Sequence, residues 1–398
     1  MTTTADKPRS KEEWVKADDG LEIFTKTWYA VDKPVATVVF VHGLGEHIVR
    51  YDHVFEEFSK HGIQVSAFDQ RGFGRTGQKT KTLGRTGGYA KAIPDITAAL
   101  KRGKIKGLPL FLMGHSYGGS LALNYNCIGP LRKKLSGLIA SAPLVLASAP
   151  TRPNSLKVSF AGAVSKIAPS LKVPVNLSSK YISRDPKEVA KYNADPLVHG
   201  YGTTKGLYDM LNNGKLLLTT RYKVIARGVP LLITHGTADG LTDPNASKAF
   251  FDKINVKDKE YKVYEGCFHE LHNEPEPDRT NVINYYIQWI LKHLKEKEGG
   301  EGEDGGGDDG VDGGDDDYMS DAVSAAEAAE MDIADAVLGV SVDVSSSADN
   351  STSADYSTSA HHTSADHSTS AGYSTSAHHS SADHSTSADT TTSTTTCD

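Results

Sequence analysis

Cysteine is scarce: Cys127, Cys267 and Cys397 are the only three in 398 residues, and none has metal-like or paired spacing. That excludes a disulfide framework and a thiolate metal centre, and it suits a reducing compartment. Long apolar runs are also missing. No stretch approaches the ~18 residues that span a bilayer, and Met1 to Lys16 is polar with no apolar core of a secretory signal. Neither spanning nor secretion is expected, and the expected place is the cytoplasm. Lysine and arginine are absent after residue 298, where 21 acidic residues stand without a basic one. All 43 Lys and Arg therefore belong to the first 298 residues, against 29 Asp and Glu there, a formal +14 hidden inside a whole-chain −7.

The same boundary divides composition. Residues 299–317 are almost wholly Gly, Asp and Glu, and from Ser341 onward the chain is Ser, Thr, Ala, His and Asp with almost no apolar bulk. Such a chain cannot offset the entropy of ordering, so 299–398 reads as a disordered acidic tail. Within it residues 351–367 recur as 368–384, differing only at Asp355 versus Gly372 and Thr363 versus Ser380. With no hydrophobic face this is low complexity and not a solenoid. Six histidines between His361 and His384 have no acid-rich catalytic cluster beside them, and no metal or cofactor is invoked. Residues 1–14 read as a flexible start and 15–298 as one domain with ample length for a large core.

Inside that domain Gly114-His115-Ser116-Tyr117-Gly118 follows the apolar run Leu108–Met113 and precedes Leu121, Ala122 and Tyr125. This is the strand, sharp turn and helix of a nucleophile elbow, which needs glycine on both sides of a strained serine. A serine hydroxyl is a weak nucleophile and requires a base and an orienting acid, which in this type of fold follow in the order acid, then histidine. Pro230–Gly236 reads as a buried strand leading to Asp239, and Tyr261–Tyr264 as another leading to a loop with His269. Ser116, Asp239 and His269 are the candidate nucleophile, acid and base. Asp243 and His272 are rivals farther from their strand ends. An oxyanion hole needs two N–H groups, one from Tyr117 just after the nucleophile and one from Leu44, where His42-Gly43-Leu44-Gly45 bends after the apolar run Ala36–Val41. Cys267, two residues before the base, reads as a small buried hydrophobe, although its alkylation there would hinder catalysis.

Taken in register, His42-Gly43-Leu44-Gly45-Glu46-His47, Phe68-Asp69-Gln70-Arg71-Gly72, Gly114-His115-Ser116, Ser141-Ala142-Pro143-Leu144, Tyr192 to Leu197, Gly236-Thr237-Ala238-Asp239 and the Glu265 to His272 segment resemble the monoglyceride lipases of the α/β-hydrolase superfamily, in the fungal form. The resemblance implies an α/β fold with a mostly parallel central sheet and a helical cap insertion at about 145–225. In that region Leu156 to Ile167 and Leu207 to Leu218 carry apolar residues at helical spacing. It also implies a glycerol-end subsite on Glu46, Arg50 and His272. Without the resemblance, Glu46 and Arg50 are a surface pair at a helix start, contributing about 0.3–0.5 kcal/mol. One departure is Tyr117, where the family usually has Met; the N–H is kept and the side chain beside the acyl pocket is changed.

The expected activity is hydrolysis of monoacylglycerol esters through an acyl-enzyme, with a lipid ester as partner and a peripheral membrane or lipid-droplet surface as the place of work. Alternatives are a general carboxylesterase or lysophospholipase on the same triad, and a non-catalytic lipid-binding scaffold. Epoxide hydrolase and dehalogenase chemistry is disfavoured because it uses an acidic nucleophile. No recognition motif accompanies the basic charge, so nucleic acid is not expected.

Overall fold

A computed structural model describes residues 9–298 except Asn176. The expected disordered tail, 299–398, lies outside the described residues. The strands are β1 (Ser10–Lys16), β2 (Glu22–Trp28), β3 (Ala36–Val41), β4 (Ile63–Phe68), β5 (Leu110–His115), β6 (Gly137–Ser141), β7 (Lys172–Pro174), β8 (Tyr201–Thr203), β9 (Leu231–Gly236) and β10 (Lys259–Tyr264). The helices are α1 (Asp52–Lys60), α2 (Gly74–Lys79), α3 (Tyr89–Gly103), α4 (Tyr117–Ile128), α5 (Ser155–Ile167), α6 (Pro186–Ala194), α7 (Thr204–Thr219), α8 (Pro244–Lys253) and α9 (Asp278–Glu298).

Eight strands form one sheet in the order β1-β2-β4-β3-β5-β6-β9-β10. From β4 to β10 all neighbours are parallel, while β2 runs antiparallel to both β1 and β4. Every residue of β3, β5, β6 and β9 is buried, as expected of central strands covered on both faces. Alternation then sorts their side chains into two cores. Val38 and Phe40 join Phe55 and Phe58 of α1 and Tyr286 and Ile290 of α9. Val39 and Val41 join Ile96 and Leu100 of α3, Leu121 of α4 and Phe250 of α8. Each such side chain, fully buried, contributes about 1.5–3 kcal/mol.

The expectation of a flexible segment 1–14 is corrected at residues 10–14, because residues 10–16 are strand β1 with seven partners in β2, while residues 1–8 lie outside the described residues. Its residues are mostly exposed, so it lacks the apolar signal of a core strand. Cross-strand pairs hold it instead: Trp14 edge-on to Phe24 at 5.4 Å, and Glu12 to Lys26 at 3.6 Å. Between β6 and β9, residues 142–230 carry α5, α6, α7 and a short antiparallel pair, β7 with β8, in the stretch expected to be the cap. Among the described residues no helix is long and apolar enough to cross a membrane.

Candidate active site

The parallel strands end on one edge, and β3, β5, β9 and β10 lead there into the loops that carry the candidate residues. In an open α/β sheet the crevice outside the strands' carboxyl ends is where ligands bind. Ser116 links β5 to α4 with φ 57° and ψ −119°, a conformation costing about 1–3 kcal/mol. Backbone bonds hold it there: its N–H donates to Ser141 at 2.9 Å, and its carbonyl accepts from Leu144 and Ser120, both at 3.0 Å. The flanking glycines are required by crowding. A Cβ on Gly114 would lie 2.2 Å from the Gly118 carbonyl oxygen, and one on Gly118 would lie 2.1 Å from that of Val41.

Asp239 and His269 form a buried pair, with Nδ1 of His269 2.7 Å from the Asp239 carboxylate. That carboxylate also accepts the N–H groups of Leu241 (2.8 Å) and Thr242 (3.0 Å) and the Thr242 hydroxyl (2.7 Å), while His235 Nε2 lies 3.2 Å away. Burial alone would raise the acid's pKa, but the charges of His269 and His235 and their hydrogen bonds to it hold it well below the ordinary carboxylate range. For His269 burial works downward, and the Asp239 charge reverses it, leaving the imidazole pKa raised. An ionised Asp239 accepts the Nδ1 proton, so Nε2 is the basic nitrogen of the neutral ring. His115, next to Ser116, has its ring 4.7 Å from that of His269. The rival acid Asp243 is engaged elsewhere: it caps α8 through Asn245 N–H at 2.9 Å and pairs with Arg152 at 2.6 Å.

The loop after β3 lies against the elbow, since a Cβ on Gly43 would be 3.2 Å from the Ser116 Cβ. Leu44 N–H has no hydrogen-bond acceptor among the described residues. Tyr117 N–H opens α4 and belongs to the helix-start donors without an intrahelical acceptor. Both are chemically available to an anion. The Tyr117 ring is packed inside the fold. It is buried edge-on to Tyr89 at 6.2 Å and borders a void of about 10 Å³ with Phe68, Gln70 and Leu121.

Glu46 and Arg50 do pair, at 2.7 Å, but Glu46 is buried and Arg50 half-buried, so the surface-pair reading fails. Arg50 also grips Glu270 through two 2.7 Å bonds and lies over the Tyr192 ring at 4.9 Å. Glu46 accepts from Gly43 N–H at 2.6 Å and from the Tyr51 hydroxyl at 2.7 Å. Burial raises the pKa of Glu46; in Glu270 burial is outweighed by Arg50, and the pKa is lowered. His272 is buried, stacked on Tyr51 at 4.6 Å and edge-on to His115 at 5.1 Å, and its Nε2 has no hydrogen-bond partner among the described residues. Burial keeps it neutral, its pKa well below the usual value. An open cleft of about 660 Å³ reaches Arg50 and Asn273 from the side of His53, Glu188, Lys191 and Asp195.

Several contributors carried no separate signal in the sequence. Glu270 and Tyr51 complete the Arg50 and Glu46 network from opposite ends of the chain. His42 accepts Gln70 N–H at its Nε2 (2.9 Å), so its Nδ1 carries the proton and donates to the Gly43 carbonyl (2.8 Å); burial lowers its pKa to about 3. Asp69 accepts Ile48 N–H at 2.9 Å and Arg75 N–H at 2.7 Å. The 142–230 insertion reaches the same loop. His199 donates its N–H to Gly45 (2.9 Å), its Nε2 lies 3.0 Å from the Gly72 carbonyl, and Asp195 meets His47 at 2.8 Å. The Phe68 to Gly72 motif was the one available pointer to Asp69 and Gln70. Cys267 is buried with its thiol pushed up to about 12 by that burial, which makes it an inert packing residue.

A family model described as serine aminopeptidase, S33 matches residues 32–276. Over 279 residues the chain is 40% identical to a Schizosaccharomyces pombe protein provisionally named a monoglyceride lipase, covering 70% of this chain and 73% of that one. It is 31% identical over 266 residues to the monoglyceride lipase of Saccharomyces cerevisiae, covering 64% and 84%. Among solved structures it is similar to a soluble variant of the Saccharomyces cerevisiae monoglyceride lipase in complex with a substrate analog, with a TM-score of 0.64 and 28% identity over 74% of this chain and 98% of that one.

Proposed function

We propose a reaction from one premise: this chain belongs to the monoglyceride lipase family of the α/β-hydrolase superfamily. It hydrolyses monoacylglycerols to glycerol and a fatty acid. The observation that carries the reading is the strained Ser116 elbow beside the buried Asp239–His269 pair. Ser116 attacks the ester carbonyl while His269 Nε2 takes its proton, and the N–H groups of Leu44 and Tyr117 hold the oxyanion. The imidazolium then protonates the departing glycerol oxygen. Water, deprotonated by the same nitrogen, releases the fatty acid and restores Ser116. Asp239, ionised throughout, favours the imidazolium.

His272 Nε2, buried and unpartnered, is the atom we assign to a glycerol hydroxyl. Glu46 already has three donors on its carboxylate and Arg50 is engaged by two acids, so both act mainly by positioning, Glu46 on the loop that carries Gly43 and Leu44 and Arg50 on the segment that carries Glu270 and His272. The insertion acts as a lid. Its α5 exposes Leu156 (78%), Phe160 (69%) and Ile167 (87%) beside Lys157 and Lys166, a composition suited to peripheral contact with a lipid surface from the cytoplasm. The test compares glyceryl and methyl esters of one acyl chain, with a fluorophosphonate probe on Ser116. Faster turnover of the glyceryl ester and single-site labelling are expected. Equal rates would reduce the protein to a general carboxylesterase, and an unlabelled serine would point to a scaffold.

A further inference from the structure

The edge of the sheet opposite the candidate site is built from the connections that enter the parallel strands. Residues 104–109, 129–136, 220–230 and 254–258, which lead into β5, β6, β9 and β10, hold nine Lys and Arg and a single carboxylate, Asp258. These four strands are consecutive in the sheet, and backbone bonds tie their entrances together: Ser136 N–H to Leu110 (2.7 Å), Leu138 N–H to Pro230 (2.9 Å) and Leu231 N–H to Asp258 (3.0 Å). At about 4.8 Å per strand, the four entrances fall within about 15 Å. Lys104, Lys106, Lys133, Lys134, Arg227 and Lys257 are all exposed there, and none has an ion-pair partner among the described residues. Asp258 is engaged by His293 at 3.0 Å.

The C-terminal helix ends at this same edge. Trp289 of α9 packs on Phe111 with ring centroids 6.1 Å apart, and a Cβ on Gly137 would lie 2.9 Å from its indole. His293 meets Asp258, and Glu298 follows about 8 Å farther along the helix. The next nineteen residues, 299–317, contain nine acidic residues, nine glycines and Val311. They lack apolar bulk for a hydrophobic groove, and they are covalently joined beside the cationic strip at an effective concentration of order mM. At about 3.4 Å per residue their reach of up to ~65 Å exceeds the strip severalfold.

We propose that the acidic segment 301–317 docks on the cationic strip formed by the entrances to β5, β6, β9 and β10 of its own chain. The attraction is one of many weakly held charges, so it weakens as salt rises. The strip lies a strand's length, about 20 Å, from Ser116, and hydrolysis of a soluble ester is indifferent to it.

Lysine footprinting tests the docking. The full chain is compared with a full-length variant whose nine carboxylates in 301–317 are replaced by amides (Glu301→Gln, Glu303→Gln, Asp304→Asn and so on), checked for an unchanged thermal midpoint. At low salt, acylation of Lys104, Lys106, Lys133, Lys134 and Lys257 should be at least about three-fold slower in the unaltered chain. The difference should vanish near 0.5 M salt, where charges act over only about 4 Å. Lys11 and Lys180, outside the strip, should react alike in both. Equal rates at the strip, slowing of all lysines together, or protection that grows with protein concentration would each overturn intrachain docking. Binding of both chains with equal affinity to phosphatidylserine vesicles, with the strip lysines protected there, would make the strip a membrane site and overturn it as well.

Discussion

Ser116→Ala should remove hydrolysis and probe labelling by about four to six orders of magnitude while leaving the fold intact, because the bonds to its neighbours use the backbone of Ser116. Far-ultraviolet spectra and labelling of the purified variant check both halves. Asp239→Asn should cost about 10⁴ in kcat by presenting the wrong imidazole tautomer. It also removes the charge that raises His269. Since the base must be neutral, activity falls as pH drops through the His269 pKa, and that acid limb should move to lower pH in the variant. At the proposed glycerol end the geometry separates two residues that the sequence groups together. His272→Ala should lower kcat/KM more for the glyceryl than for the methyl ester, whereas Glu46→Gln, which disturbs the Gly43 N–H bond of the oxyanion loop, should lower both alike. Equal losses in His272→Ala would return it to a packing role. The Ser116 elbow and the Asp239–His269 pairing were legible because each chemistry demands one residue type at one strand end. Glu270 was not, since its role depends on Arg50, 220 positions away.

Among the elements, β3, β5, β6 and β9 announce themselves as continuous apolar runs because both faces are covered. β1, with Lys11, Glu12 and Glu13, does not, since an edge strand is protected by the very charges that mask it. α2, Gly74–Lys79 with two glycines, has no helix propensity to read; its backbone is anchored by Asp69 at Arg75 N–H. In α5 the apolar spacing was visible but its direction was not, and the structure turns Leu156 and Phe160 outward. Phe160→Asp should therefore slow hydrolysis of substrate presented in vesicles or emulsion by several-fold and leave a water-soluble ester unaffected. Matching losses on both would mean that α5 shapes the chemistry and not the approach to lipid.

For the whole molecule, truncation after Glu298 should leave the thermal midpoint and the soluble-ester rate nearly unchanged, because the described cores close without the last hundred residues. A midpoint lowered by several degrees would refute that independence. Stability should also fall with acid in a specific way. His42, His115 and His272 are buried neutral with lowered pKa values, so below about 6.5 the unfolded chain takes up protons that the folded one refuses. Each costs about 1.4 kcal/mol per pH unit in that range, whereas His269, with its raised pKa, works in the opposite sense. Buried Asp69, raised to about 7, works with His269 in that opposite sense, and melting from pH 7 to 5 should still show a net drop, because the lowered histidines outnumber these two; a midpoint that rises over that range would refute the account. The backbone joins between His199 and Gly45, with His47 held by Asp195, bear on how relatives of this chain can be recombined. An insertion borrowed from a relative would arrive with its own version of that seam, so a working chimera must import residues 42–47 and 69–74 along with it, and a graft of the insertion alone would exchange selectivity for a misaligned catalyst.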